Sequence, residues 1–176
     1  DDRPIPFIVG DNFEDFVVAR FEKEKFSIVR KTVQVPKVPG PFIEINLDPD
    51  FIMRYNPNHE KFAVEAKFRS YLSNKDVIKP YQMVRYKQFE REEKIPVYIV
   101  IGYGGTSKNP QKIYLVPLKH INSDKLSIKS LRENALSKYE KDRNSKFTWR
   151  PGSVWNSGYL DFKSEIAANL VQPDTR

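Results

Sequence analysis

The chain has 176 residues, 39% of them hydrophobic and 13% aromatic, with a net charge of +7 and a pI near 9.4. That length can bury a substantial core as one domain. The apolar content excludes a disordered polymer, and no apolar run approaches the roughly 18–20 residues of a membrane-crossing helix. The chain has no cysteine, and so no disulfide and no thiolate metal site. Its two histidines, His59 and His120, leave carboxylates as the donors for any metal, which favours Mg2+ or Mn2+. The lack of cysteine suits a reducing cytoplasm, and the basic balance points to a polyanionic partner.

Residues 1–9, with Pro4 and Pro6, read as an extended lead-in. Asp11 or Asn12 caps a predicted helix reaching about Lys25. On it Phe13, Phe16, Val17 and Phe21 share one side, extended by Val18, and Glu14 and Arg20 fall inside that apolar arc. A carboxylate there costs free energy unless it is paired or binds a cation; a first-turn glutamate favoured by the helix dipole is the alternative. Phe26–Val35 predicts a strand and Val35–Pro41 a proline-rich loop. Asp50–Tyr55 and Phe62–Phe68 predict a hairpin about the turn Asn56–Glu60. Pro80 opens a helix, as proline does at a first turn, running to about Glu93. Pro96–Gly102 is a nearly continuous apolar run, the pattern of a strand buried on both faces. A polar loop over Gly102–Pro110, a strand over Ile113–Leu118 and a helix over Ser127–Lys141 follow. Lys146–Tyr159 reads as irregular and Ser164–Val171 as a terminal helix. The expected order is α-β-β-β-α-β-β-α: an α/β fold whose mixed central sheet is flanked by helices. One domain would span 1–176, with a core of about 10–121 and a basic extension of about 122–176.

Within Lys61–Phe68, strand alternation sets Glu65 and Lys67 side by side, with Val64, Ala66 and Phe68 on the other face. The hairpin turn brings Asp50 towards them. Two carboxylates and a lysine at one point are the donor set for metal-assisted phosphodiester hydrolysis, the carboxylates for a hard cation and the lysine for the attacking water. Glu-x-Lys alone is a weak signal, more often an ordinary solvated strand pair. On the following helix Gln82, Arg85, Tyr86 and Phe89 share a face. Gln82 and Tyr86 would reach a water or a phosphate oxygen, and Arg85 would neutralise phosphate charge. The competing reading packs Tyr86 and Phe89 inward with Gln82 at the edge. Residues 121–150 carry eight Lys/Arg, Lys138 and Arg143 among them, against four Asp/Glu, and end in Phe147-Thr-Trp149-Arg150. Basic residues interleaved with aromatics suit a nucleic-acid groove and an ordinary charged surface alike. Arg69 is a further groove candidate beside Arg85.

With Glu14, Asp50, Glu65-Ala-Lys67 and Gln82-x-x-x-Tyr86 in that order, the chain resembles the PD-(D/E)XK nuclease superfamily over roughly Gly10 to Gly102. This is the restriction-endonuclease-like fold shared with Holliday junction resolvases. The resemblance implies an α-β-β-β-α-β core and metal ligation by Glu14, Asp50, Glu65 and the Ala66 carbonyl. It also implies catalysis by Asp50, Glu65, Lys67 and Gln82. Backbone contacts would come from Arg69, Arg85, Tyr86, Lys138 and Arg143. It further implies a Mg2+- or Mn2+-dependent cut in DNA leaving a 5′-phosphate and a 3′-hydroxyl, and it suggests a homodimer. The alternative on the same fold is a nucleic-acid-binding or assembly module without catalysis.

Overall fold

The computed structural model describes residues 5–33, 47–71, 74–152 and 158–164. Helix α1 (Ile5–Val18) leads into β1 (Phe26–Lys31), β2 (Phe51–Tyr55), β3 (Glu60–Arg69) and the short β4 (Asp76–Ile78). Then come α2 (Pro80–Glu93), β5 (Val97–Thr106), β6 (Asn109–Pro117), β7 (Leu126–Ser127) and α3 (Ile128–Glu133). The remaining strands are β8 (Glu140–Asp142), β9 (Phe147–Arg150) and β10 (Tyr159–Phe162). Six strands make the central sheet in the order β1-β2-β3-β5-β6-β8. β3 and β5 run parallel and every other neighbouring pair is antiparallel. The expected mixed sheet flanked by helices is therefore present, with β4 inserted before α2.

The parallel pair follows from the connection. Joining β3 to β5 in the same direction needs a crossover, and α2 supplies it. Alternation then divides the core. Ala63, Ile99, Ile101, Tyr114 and Val116 pack under Met83, Tyr86 and Phe89 of α2 and Ile128 and Leu131 of α3. Phe62, Val64, Tyr98, Val100 and Ile113 face Phe13 and Val17 of α1 and the β9–β10 hairpin. Gly102 shows how closely α1 approaches: a Cβ there would stand 2.5 Å from the Phe13 ring, so the strand carries glycine where another element presses on it.

Four expectations are corrected. The amino-terminal helix begins at Ile5 rather than near Asp11, so Ile5–Gly10 is helical and not extended; Pro6 sits in the first turn, where its missing N–H costs nothing. The helix ends at Val18, seven residues before Lys25. The expected loop over Gly102–Pro110 is mostly strand: β5 continues to Thr106, with Gly104 and Gly105 at φ of 72° and 65° bending it into a tight hairpin. The single helix over Ser127–Lys141 is broken. Ser127 caps α3 by accepting the Ser130 N–H (3.0 Å), Ala135 at φ 59° ends it, and a 3-10 turn over Leu136–Tyr139 leads into β8. Finally, the expected irregular stretch Lys146–Tyr159 contains β9, paired with β10. Its aromatics hold it to the sheet: Phe147 lies 4.8 Å from Phe21 and Trp149 4.9 Å from Phe62, ring centre to ring centre. The Trp149 indole N–H donates to Glu60. Predicted structure over Val35–Pro41 and beyond Ser164 lies outside the described residues. Among the described residues no helix is long and apolar enough to cross a membrane.

Candidate active site

The site grows out of the β2–β3 register. Phe51 stands opposite Val64 and Ile52 opposite Ala63, so the same antiparallel count sets Asp50 against Glu65. Ile52, two residues after Asp50, and Ala63, two before Glu65, both join the core beneath α2. Asp50, Glu65, Lys67 and Arg69 therefore share the α2 face of the sheet.

A hydrogen bond and an ion pair join these groups. Asp50 Oδ2 accepts the Ala66 N–H at 2.8 Å. The Asp50 carboxyl faces Glu65 closely enough for that carboxylate to raise it, and Glu14 faces Asp50 in the same way. Lys67 Nζ lies 3.8 Å from Glu65 Oε1. Glu65 is only 4% exposed. Tyr86, 2% exposed, stands on α2 close enough to Glu65 for that carboxylate to raise its phenol. Glu14 of α1, Asp50 just before β2, Glu65 of β3 and Tyr86 of α2 thus cluster at one point.

Its electrostatics follow from burying like charges together. Burial and then the charge of Glu65 raise the Asp50 carboxyl well above its ordinary value, against the Ala66 N–H and Lys67. Burial and Asp50 push Glu14 up to about 8, although Lys31 of β1 stands 3.5 Å away and opposes the shift. Burial and Glu65 raise the Tyr86 phenol in the same way. Carboxyls in such contact need a proton or a cation among them. The hard oxygen donors of Asp50 and Glu65 fit a divalent cation. Among the described residues no three His, Asp or Glu side chains form a ready cage. Glu14, expected as a ligand, stands beside Asp50, with Lys31 Nζ 3.5 Å from its Oε2.

Three other sequence-predicted residues are placed differently from expectation. Tyr86 is too deeply buried to touch a nucleic-acid backbone and packs inward beside Glu65. Arg85 donates to Asp48 through Nε (3.1 Å) and Nη2, and its Nη1 lies 3.6 Å from Glu92. Its guanidinium is an internal tie rather than a phosphate contact. Gln82 turns back on its own helix, its Oε1 accepting the Lys79 N–H at 2.9 Å. Arg69, at the end of β3, donates to the Phe68 carbonyl (2.8 Å), and partial burial lowers its pKa. Lys138 lies over the Tyr139 ring, and Arg143 is exposed just past β8. In sheet order β8 is three strands from β3, about 14 Å at the usual strand spacing. Sequence reasoning missed Arg30, Lys31, Thr32 and Asp48, which surround Asp50. The signal available was strand alternation on β1, which puts Arg30 on the Asp50 face and Lys31 on the Glu14 face.

No protein-family model matches the chain, and no curated protein sequence does. Among solved structures it is similar to Hjc, a Holliday junction resolvase from the archaeal hyperthermophile Archaeoglobus fulgidus. The TM-score is 0.46 and the identity 16%, over 67% of this chain and 88% of that chain.

Proposed function

We propose that this chain is a Mg2+- or Mn2+-dependent nuclease that hydrolyses DNA phosphodiester bonds. The observation that carries the reading is the meeting of Asp50, Glu65 and Lys67 on one face of the sheet, with the Ala66 N–H holding Asp50 in place. Asp50, Glu65 and the Ala66 carbonyl would hold the cation. When bound, it supplies Lewis-acid stabilisation of charge on the phosphate oxygens and acidifies water.

The rest of the chemistry belongs to the side chains. Glu65 fixes Lys67, whose Nζ orients the attacking water in line with the scissile bond. Tyr86 holds Glu65 through its hydroxyl, so that carboxylate keeps one orientation as charge develops. Glu14 shares a proton with Asp50 and relieves carboxylate repulsion in the metal-free protein. Arg69, with the basic segment carrying Lys138 and Arg143, would attract the phosphate backbone.

The deciding experiment is a cleavage panel of plasmid, linear duplex, single-stranded and junction DNA, with Mg2+, with Mn2+ and with chelator. Metal-dependent cutting that the Lys67→Ala protein lacks is the expected result. Binding without cutting in every arm would instead make the chain a nucleic-acid-binding module on this fold.

A further inference from the structure

The segment that delivers Asp50 is tied down from three elements. Thr32, next after β1, donates its N–H to the Asp50 carbonyl (2.8 Å) and its hydroxyl to the Pro49 carbonyl (2.7 Å). Asp48 accepts from Arg85 of α2 through Nε and Nη2 on one oxygen, Oδ1. Arg30 of β1 brings Nη2 to 3.9 Å from its other oxygen. The Asp50 carboxylate reaches across to the Ala66 N–H of β3. The backbone of this segment is therefore held by β1, the side chain of Asp48 by α2, and that of Asp50 by β3.

The ties meet a specific difficulty. Asp50 precedes Phe51, the first residue of β2 paired with β3, so the ladder alone does not hold it. It also faces Glu65, and two carboxylates so placed repel when ionised. Without a restraint the Asp50 segment would relax away from Glu65. The Arg85–Asp48 pair is well suited to restrain it. Two guanidinium nitrogens on one carboxylate oxygen fix where that oxygen sits, and Arg30 near the other oxygen limits its rotation. Both side chains are partly exposed, at 28% and 22%, and such a pair contributes little to global stability. Its contribution is geometric.

We propose that Asp48 and Arg85, braced by Thr32, form a clamp that positions Asp50 beside Glu65 for divalent-cation binding. The clamp rests on the reading of Asp50 and Glu65 as cation donors. All three are positioning residues, and none need touch cation or substrate. Removing an outer partner of a metal ligand typically weakens affinity by about 10- to 100-fold.

Geometry and simple electrostatics differ in sign at Arg85, which makes the clamp testable. If only charge mattered, Asp48→Asn would weaken Mn2+ binding, Arg85→Gln would strengthen it, and Arg85→Lys and Thr32→Val would leave it unchanged. The clamp requires all four to weaken it, Asp48→Asn and Arg85→Gln by about 10- to 100-fold. Mn2+ affinity is read by EPR or calorimetry without substrate. The second readout, on metal-free protein, is the NMR chemical shift and exchange protection of the Ala66 amide, which reports whether Asp50 still accepts its hydrogen bond. The clamp predicts a moved shift and reduced protection in Asp48→Asn and Arg85→Gln. Tighter or unchanged Mn2+ binding in Arg85→Gln, or an Ala66 amide identical to wild type in both, overturns it. A wild-type protein that binds no Mn2+ refutes the cation reading, and the clamp as a device for cation binding falls with it. The amide readout then shows whether Asp50 is nonetheless held.

Discussion

Glu14→Gln tests the electrostatics of the site without needing substrate. The substitution preserves shape and a donor towards Asp50 but removes the ionisable carboxyl. In the folded, metal-free protein Glu14 titrates at about 8 against an ordinary 4.5, because it is buried and borders Asp50. The folded state thus binds this proton more tightly than the unfolded state. Its stabilising contribution is complete below pH 4.5, declines as pH rises between the two values, and is gone above pH 8. Linkage makes the decline about 1.4 kcal/mol per pH unit inside that window. Between pH 5 and pH 8.5 the wild-type protein should lose about 3–4 kcal/mol through this one group. Urea denaturation at half-unit pH steps, with chelator present, measures it. The Glu14→Gln protein should lose that much less over the same range and be the more stable of the two at pH 8.5. Parallel stability profiles would refute both the raised pKa and the proton sharing with Asp50. Saturating Mg2+ should narrow the gap, because a cation at Asp50 and Glu65 offsets the repulsion that lifts Glu14.

If Lys67 acts on the attacking water as proposed, Lys67→Ala should abolish cleavage while DNA affinity stays near wild type, with the loss in kcat rather than KM. Asp50→Asn should lose Mn2+ binding as well, measured by calorimetry. Tyr86→Phe keeps the packed ring but removes the hydroxyl that stands beside Glu65. It should cost about 1 kcal/mol in urea denaturation, and an unchanged midpoint would show that the hydroxyl does not bond Glu65. Changing Lys138, Lys141 and Arg143 together to Ala should lower the slope of log affinity against log salt by about 0.7–0.9 for each phosphate left without its cation. It should leave kcat alone, because β8 lies three strands from β3; an unchanged slope would make this edge plain solvated surface.

The parts of this structure that could be read in advance are those where one periodicity dominates. Phe62–Phe68 alternates cleanly, so the faces of Glu65 and Lys67 followed from the residues alone, as did the buried strand beginning near Pro96. Pro80 marked the start of α2. The misreadings share a cause: tertiary contact overrode local pattern. Lys146–Tyr159 has no strong strand pattern, and β9 forms because Phe147 and Trp149 find Phe21 and Phe62 across the sheet. Gly104 and Gly105 suggested a loop but serve as a bend within a strand. At the site, Asp50, Glu65 and Lys67 were identifiable because their spacing is local. The roles of Arg85 and Tyr86 were not. Sequence places both on one helix face, and only the packing of α2 shows Tyr86 meeting Glu65 and Arg85 meeting Asp48.

Why the two carboxylates stay together is a question of which effect is larger. Slipping β2 against β3 by one residue would separate Asp50 from Glu65 and relieve their repulsion. It would also turn every side chain of the slipped strand to the other face. Phe51, Met53, Phe62 and Val64 are nearly fully buried on the α1 side. A slip would turn Phe51 and Met53 out of that packing, and losing two such burials costs up to about 3–6 kcal/mol at the usual 1.5–3 kcal/mol per large apolar side chain. The carboxylate repulsion is offset in part by the Ala66 N–H and Lys67, and the raised pKa values of Asp50 and Glu14 let a bound proton offset more. The packing on the α1 side therefore dictates the register, and the α2 side must accept the carboxylate pair that the register creates. Chemistry on one side of β3 is held in place by hydrophobic burial on the other.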